Sequence, residues 1–330
     1  AISAPGALLA ILSASPSSPL HHPGAPEAVM APPPTGEGHA EAGGSAAAEA
    51  AADAAGAPRE ASEPPLPPPL VLAPASSSAR AAFAADGFAV VAELLPPPLC
   101  EALVARLDAM LAGAFDTGAS PDKVPSGKPA GKRPRVEQFV NAWKGDTLLG
   151  SVVQSGALGE WVADLAGWDS GAEVLQDQVW CKPPRSGPIG FHRDAAYMGD
   201  GVVTLWITLD DLEPSLGPLE YARGSHAWPP PPYEGYTPSL FGRKDWRSEL
   251  RKAAEHCRAE VDLVQVLVPR GGGSIHSGAT WHGSGVNTSC RPRRGLGIHF
   301  GPRGARPVPP TALARQMAGG QLTEAAAQGG

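Results

Sequence analysis

The ordered part of this chain reads as a mainly β domain with flanking helices, and three observations predict it. Short runs rich in β-branched and aromatic residues recur from Val174 onward, as in Val202–Leu209 (VVTLWITL). Gly and Pro clusters separate these runs, the punctuation of an antiparallel barrel or sandwich. Helical patterns, by contrast, stand mostly before them, apart from a charged helix around Asp245–Arg258.

Taken in order, residues 1–78 are expected to be a disordered Ala/Pro-rich segment. They carry no periodic apolar pattern, so burial cannot offset the entropy of ordering them. The PPLPPPL run inside them is a polyproline-type stretch that a protein partner could read. The domain is placed at residues 79–305 and a flexible tail at 306–330. ARAAFAADGF predicts a short helix stopped by Gly87, then a strand at Phe88–Val91. Pro96–Pro98 opens a second helix. Its apolar face is read as Leu99, Ala102, Leu103, Leu107, Met110 and Leu111, with Arg106 the polar exception. Residues 116–135 read as a polar loop with a basic end, a solvated insertion rather than a substrate-facing or targeting element. Phe139–Trp143 and Leu148–Leu165 read as helical. Strands follow at Val174–Lys182, Val202–Leu209, Val261–Val268, Ser274–Gly278 and Gly295–Phe300. An insertion at Trp228–Glu260, with a helix around Asp245–Arg258, interrupts them in the manner of a lid or binding loop.

Composition excludes several functions. A net charge of -7 argues against a nucleic-acid partner. The four cysteines form no CxxC pair, which argues against a zinc finger or disulfide framework and for a reducing compartment. No apolar run reaches the length of a membrane span, and no basic leader is apparent, so the expected location is cytoplasmic. No nucleotide-binding glycine motif stands before a helix.

The informative segment is GFHRDAAY, residues 190–197. His192 and Asp194 are separated by two positions, which on a strand places them on one face. An imidazole, a carboxylate and a third ligand would make a two-histidine, one-carboxylate face with open metal positions. By itself H-x-D is a weak signal. TWHGSGVN adds His282, and RPRRGLGIHF puts Arg293 eleven residues further on. A planar guanidinium suits the far carboxylate of a keto-dicarboxylate, and Ser284 offers a hydroxyl to the same group. Strand alternation favours Arg293 over Arg294 for that role and turns Arg193 away from a metal held by its neighbours.

FHRDAAY, LEYARGSH and HGSGVN with RPRRGLGIHF, together with the DGFAVVAELLPPPLCEAL opening and DQVWCKPP, closely resemble the phytanoyl-CoA dioxygenase family over about residues 79–302. The resemblance implies a double-stranded β-helix, a cupin-like jelly roll, using Fe(II), 2-oxoglutarate and O₂, with ascorbate as a stimulant. It implies His192, Asp194 and His282 as metal ligands and Arg293 with Ser284 as the clamp on 2-oxoglutarate. It also implies Trp206 and Gln178 as residues lining the co-substrate pocket. His276 is expected behind the ligands or in the core, and Tyr197 and Trp281 in the pocket wall or core. The implied activity is hydroxylation of an aliphatic C–H in a small or lipid-like molecule, with release of succinate and CO₂. Desaturation, cyclisation and a non-catalytic binding role are the alternatives. NAWK, with Asn141, looks more like bacterial relatives than the phytanoyl-CoA enzyme.

Overall fold

The computed structural model describes residues 69–125, 134–229, 240–241 and 244–304. Of the segment 1–78 expected to be disordered, residues 1–68 lie outside the described residues, as do the expected tail 306–330, most of the basic end of the 116–135 loop and most of WPPPPY, while residues 69–78 are ordered, contrary to expectation.

Packing begins upstream of Ala79. Leu70 and Leu72 rest on the core, Ala75 is buried, and helix α1 spans Ser77–Asp86. The Ser76 hydroxyl accepts the Ala79 N–H at 3.1 Å, an N-cap that starts the helix there. Gly87 ends it with φ +83, and a Cβ at this position would meet the His226 ring and the Thr280 hydroxyl. A positive φ and a close approach both require glycine.

Helix α2 (Pro97–Leu111) buries Leu99, Cys100, Leu103, Leu107 and Met110. The face is therefore rotated from the expected one: Ala102 and Leu111 are exposed and Cys100 is inside. Arg106 reaches sideways to Asp116 and Asp146, at 2.5 Å each. Asp146 also caps α3 (Thr147–Val153) by accepting the Leu149 N–H. Helix α4 (Gly156–Ala166) completes the helical layer.

The strands are β1 (Phe88–Val91), β2 (Glu137–Val140), β3 (Ala172–Lys182), β4 (Ile189–His192), β5 (Val203–Thr208), β6 (Leu219–Ala222), β7 (Leu263–Gln265), β8 (Gly273–Ser277), β9 (His282–Ser284) and β10 (Arg293–Pro302). A six-stranded sheet runs β1-β8-β5-β10-β3-β2 and a four-stranded sheet runs β4-β9-β6-β7. The pairings are antiparallel, the two-sheet arrangement of the expected jelly roll. Side-chain alternation divides the large sheet in two. Val179, Cys181, Leu205, Ile207, Ile275, Leu296, Ile298 and Phe300 pack with the helices in one core. Gln178, Trp180, Thr204, Trp206, His276, Arg293 and His299 face the barrel interior.

Two elements depart from expectation. Phe139–Val140 lies on strand β2, not in a helix, and a 3-10 turn at Ala142–Lys144 follows. An apolar pair this short carries no period, and the open edge of β3 decides its state. The expected strand Val261–Val268 shrinks to β7, an edge strand of three residues. Val266 and Val268 are still buried but leave the ladder. A short helix α5 (Ala195–Met198) follows β4, and α6 (Ser248–Cys257) confirms the helix expected in the insertion. Among the described residues no helix is long and apolar enough to cross a membrane. All four cysteines are free.

Asp177 shows how the layers are joined. It is fully buried on the helical side of β3, and its carboxylate accepts the Ala142 N–H at 3.1 Å and the Trp143 N–H at 3.5 Å. Burial pushes this carboxyl up to about 7, against those two hydrogen bonds. The folded state therefore holds a proton that the unfolded chain releases near its ordinary value of about 4. Between those values stability falls as pH rises, because the folded state binds more protons. Asp177→Asn is expected to flatten this part of the stability profile. Urea midpoints at pH 5 and pH 8, compared with those of the parent, check it.

Candidate metal centre and co-substrate pocket

The site forms where the two sheets face each other. His192 ends β4 and His282 starts β9, and they are direct partners in the β4–β9 ladder. Their rings lie 4.2 Å apart between centroids. Asp194 is not on the strand, contrary to the strand-alternation argument. Its φ of -65 and ψ of -34 are helical, and it opens α5. The turn after His192 swings the carboxylate back to the histidines. The Asp194 Oδ1 atom is 3.7 Å from His192 Nε2 and 3.6 Å from His282 Nε2. One ligand atom from each of the three lies within 4.8 Å of the others. Adjacent ligands of a first-row metal, each about 2.1 Å from the ion, lie about 3 Å apart. A small contraction would close this triangle around one ion.

Hydrogen bonds set the ring tautomers. His192 Nδ1–H donates to the Gly190 carbonyl at 2.8 Å, and His282 Nδ1–H donates to the Thr280 carbonyl at 3.0 Å. A carbonyl can only accept, so both Nε2 atoms keep their lone pairs for a metal. Burial pushes both imidazoles down to about 4, so they are neutral near pH 7, the form that binds metal. Burial opposes ionisation of Asp194, but His282, His276 and His299 around it hold the carboxyl well below the usual range.

The support behind the carboxylate was only partly read from the sequence. His276 Nε2–H donates to Asp194 Oδ2 at 3.0 Å, and the Thr204 hydroxyl donates to the same oxygen at 2.6 Å. His276 is therefore where it was expected. Thr204, inside the β run, carried no signal. The Tyr197 hydroxyl donates to Oδ1, and Tyr221 O–H donates to His276 Nδ1 at 2.9 Å. Because Thr204 gives its proton to Asp194, its oxygen accepts from His299 Nδ1–H at 2.8 Å. His299 Nε2 then holds a bare lone pair, buried in the pocket wall without a partner among the described residues. Supporting groups of this kind usually change metal affinity by about 10- to 100-fold. Thr204→Val, which removes the hydroxyl and keeps the shape, is expected to weaken iron binding within that range, as an anaerobic Fe(II) titration would read.

Arg293 marks the other end of the pocket. It is 1% exposed, with its guanidinium carbon 5.4 Å from the Trp206 ring centroid. Its Nε and Nη1 have no hydrogen-bond partner among the described residues. Burial lowers its basicity to about 10, so it stays charged. A buried, unpaired cation is costly and is tolerated where an anion arrives to meet it. Gly295 lies under the Trp206 indole, where a Cβ would approach to 2.4 Å, so glycine lets Trp206 lie flat beside Arg293. Trp206 and Gln178 both line the pocket, as expected. Ser284 is fully buried, and its oxygen accepts from Lys182 Nζ at 3.1 Å. Arg294 turns outward to Asp210 at 2.6 Å, as alternation requires. Arg193 lies away from the cluster, 5.9 Å from the Trp281 ring centroid, and Trp281 packs in a separate core with Phe191, Leu250 and Ala253.

A row of amides braces Gln178 in the pocket wall. Lys123 Nζ donates to Gln138 Oε1 at 2.7 Å, Gln138 Nε2 to Gln178 Oε1 at 3.0 Å, and Gln178 Nε2 to Gln176 Oε1 at 2.7 Å. Lys123 belongs to the loop expected to be a solvated insertion. Its described part is instead tied down by Asp122, which accepts from Asn141 and Lys144, and by Lys123 itself. Asn141 supports this loop and does not line the pocket.

A jelly roll with a His-Asp-His cluster at one end of its lumen and an unpaired guanidinium at the other defines the non-haem iron, 2-oxoglutarate-dependent oxygenases as a class. The donor set fits the iron, and the orphaned Arg293 fits the co-substrate's far carboxylate. The family model for phytanoyl-CoA dioxygenase (PhyH) matches residues 83–295, and the chain belongs to that family. It is a 2-oxoglutarate-dependent oxygenase, an oxidoreductase that works with iron. Among solved structures, the fold is similar to the non-heme alpha ketoglutarate dependent carbocyclase SnoK from nogalamycin biosynthesis, with 21% identity, 72% of this chain and 88% of that chain covered, and a TM-score of 0.57. EctD from S. alaskensis gives 19% identity, 72% and 81% coverage and a TM-score of 0.54. AviO1 from Streptomyces viridochromogenes Tue57 gives 24%, 72% and 100%, and 0.53. No curated protein matches the chain.

Proposed function

We propose that this enzyme hydroxylates an aliphatic C–H of a small, polar molecule. In this reading His192, Asp194 and His282 hold Fe(II), and Arg293 with Ser284 holds the far carboxylate of 2-oxoglutarate. Iron with 2-oxoglutarate supplies the oxidising power: O₂ is consumed, 2-oxoglutarate becomes succinate and CO₂, and one oxygen atom enters the substrate. The protein's own work is positioning and shielding. The unpaired, buried guanidinium of Arg293 in the pocket wall is the observation that carries the assignment. It would orient the co-substrate in a pocket whose wall Trp206 and Leu219 help to form. As a ligand, Asp194 would fill the position that a halide would need, which favours oxygen insertion over halogenation.

Of the small and lipid-like alternatives, the wall favours the former. Gln178 and the bare His299 Nε2 offer an amide and an acceptor to a substrate hydroxyl or amine. An acyl chain would leave the His299 lone pair unsatisfied at a cost. The free thiols support a reducing, cytoplasmic setting. The test is an untargeted metabolite screen with Fe(II), 2-oxoglutarate and ascorbate. A polar metabolite gaining one oxygen is expected, with matching succinate. A product that loses two hydrogens without gaining oxygen would replace hydroxylation by desaturation or ring closure.

A further inference from the structure

Lys182 ends β3 with its side chain wholly buried, and nothing above gives it a task. Its position is specific. It is the direct cross-strand partner of Arg293 in the β3–β10 ladder. Its Nζ is 3.1 Å from the Ser284 oxygen and donates to the Gly285 carbonyl. Among the described residues it makes no ion pair, so two basic side chains lie together with no carboxylate bonded to either. The charged neighbours are few. Arg293 faces it from β10. Glu220 approaches from β6 but is engaged by Arg247 at 2.6 Å and by Gln265 at 3.0 Å. From β9 and the residue after it come only the Ser284 hydroxyl and the Gly285 carbonyl. The Arg294–Asp210 pair lies on the opposite face of the sheet.

Burial, and then the repulsion of Arg293, lower Lys182 to about 6. Above that pH, with the pocket empty of anions, it is a neutral amine with a lone pair. The Ser284 hydroxyl has one proton to give. A neutral amine offers a lone pair that competes with a carboxylate for that proton. Beside an ammonium, the Ser284 oxygen accepts from Lys182 and its proton is free to point at a carboxylate. Ser284 therefore serves the co-substrate without competition only when Lys182 is protonated.

We propose that Lys182 is a positioning residue that takes up a proton when 2-oxoglutarate binds and so turns the Ser284 hydroxyl toward the co-substrate. The proposal rests on the co-substrate reading above. The arriving carboxylate supplies the negative charge that the paired cations lack, and the proton comes from solvent. No covalent bond changes. The device makes co-substrate affinity depend on pH with a definite sign. One proton is bound with each 2-oxoglutarate, so affinity falls as pH rises above the value of the empty site. The limiting slope for one linked proton is about tenfold per pH unit.

The test is anaerobic calorimetry of 2-oxoglutarate binding to the Fe(II)-loaded enzyme. Titrations are run from pH 6.5 to 8.5, each in two buffers of different ionisation enthalpy so that protons are counted. The expected result at pH 8 is uptake approaching one proton per site, with Kd rising toward tenfold per pH unit. Lys182→Met is expected to bind more weakly, with a flat pH profile and no proton uptake. Lys182→Arg, permanently charged, is expected to recover affinity with no proton uptake. A wild-type Kd that ignores pH, or a proton count unchanged in Lys182→Met, overturns the role of Lys182 and leaves the co-substrate site standing. Absence of 2-oxoglutarate binding at every pH overturns that site and this proposal together.

Discussion

Asp194→Ala is expected to abolish 2-oxoglutarate turnover and to weaken Fe(II) binding by more than about 100-fold, beyond the range typical of groups that merely support ligands. The reason is its position. Asp194 Oδ1 lies between the two ligand nitrogens, and its other oxygen collects the hydrogen bonds from His276 and Thr204. Removing the carboxylate deletes the one anionic ligand and leaves those donors facing a void. His192 and His282 remain neutral on their backbone carbonyl anchors, so weak two-nitrogen binding is what survives. An anaerobic Fe(II) titration, read beside succinate release, checks both parts. Near-parental iron affinity in Asp194→Ala would remove the carboxylate from the ligand set.

Arg293→Met is expected to spare iron binding and to raise the Kd for 2-oxoglutarate. Truncating one partner of a buried, hydrogen-bonded charge pair costs about 2–5 kcal/mol, roughly 30-fold to a few thousand-fold in Kd. The same change is expected to raise the melting temperature of the enzyme without co-substrate, because it removes a buried cation that has unpaired donors. Opposite movements of stability and affinity distinguish a binding guanidinium from one that serves packing. Arg293→Lys keeps the charge but loses the planar fork, and is expected to fall between parent and Met. Thermal melts with and without 2-oxoglutarate, beside the calorimetric Kd, read all three.

Much of this was legible in the sequence where a residue's type and its element's period agreed. The β runs carried enough β-branched and aromatic side chains to declare themselves, and Gly87 and Pro96–Pro98 punctuated the helices before them. Arg293 was separable from Arg294 because alternation admits one of the two inward. The ligand residues were visible through their combined spacing and the family resemblance. What failed was local geometry. Asp194 reaches the histidines through a helical turn after β4, and strand alternation could not foresee that. Phe139 and Val140 join a sheet because β3 offers an edge, which is a tertiary effect that a short apolar run cannot encode. Thr204 and Lys182 were silent because a threonine in a strand and a lysine before two prolines are common. Their roles arise from partners 10 and 102 residues away, Asp194 and Ser284. Of the glutamine row only Gln178 was named, through the resemblance; Gln138 and Gln176 were silent, since the row's members come from two strands that only the fold aligns.

The central claim is that one Fe(II), held by His192, Asp194 and His282, binds 2-oxoglutarate while Arg293 grips its far end. Its most direct test is the visible charge-transfer absorption that forms when 2-oxoglutarate chelates Fe(II) without oxygen. The account predicts a band that saturates at one iron and one 2-oxoglutarate per chain, is absent in Asp194→Ala, and needs far more 2-oxoglutarate in Arg293→Met. A band that persists in Asp194→Ala, or an iron-loaded parent that shows none, would contradict it.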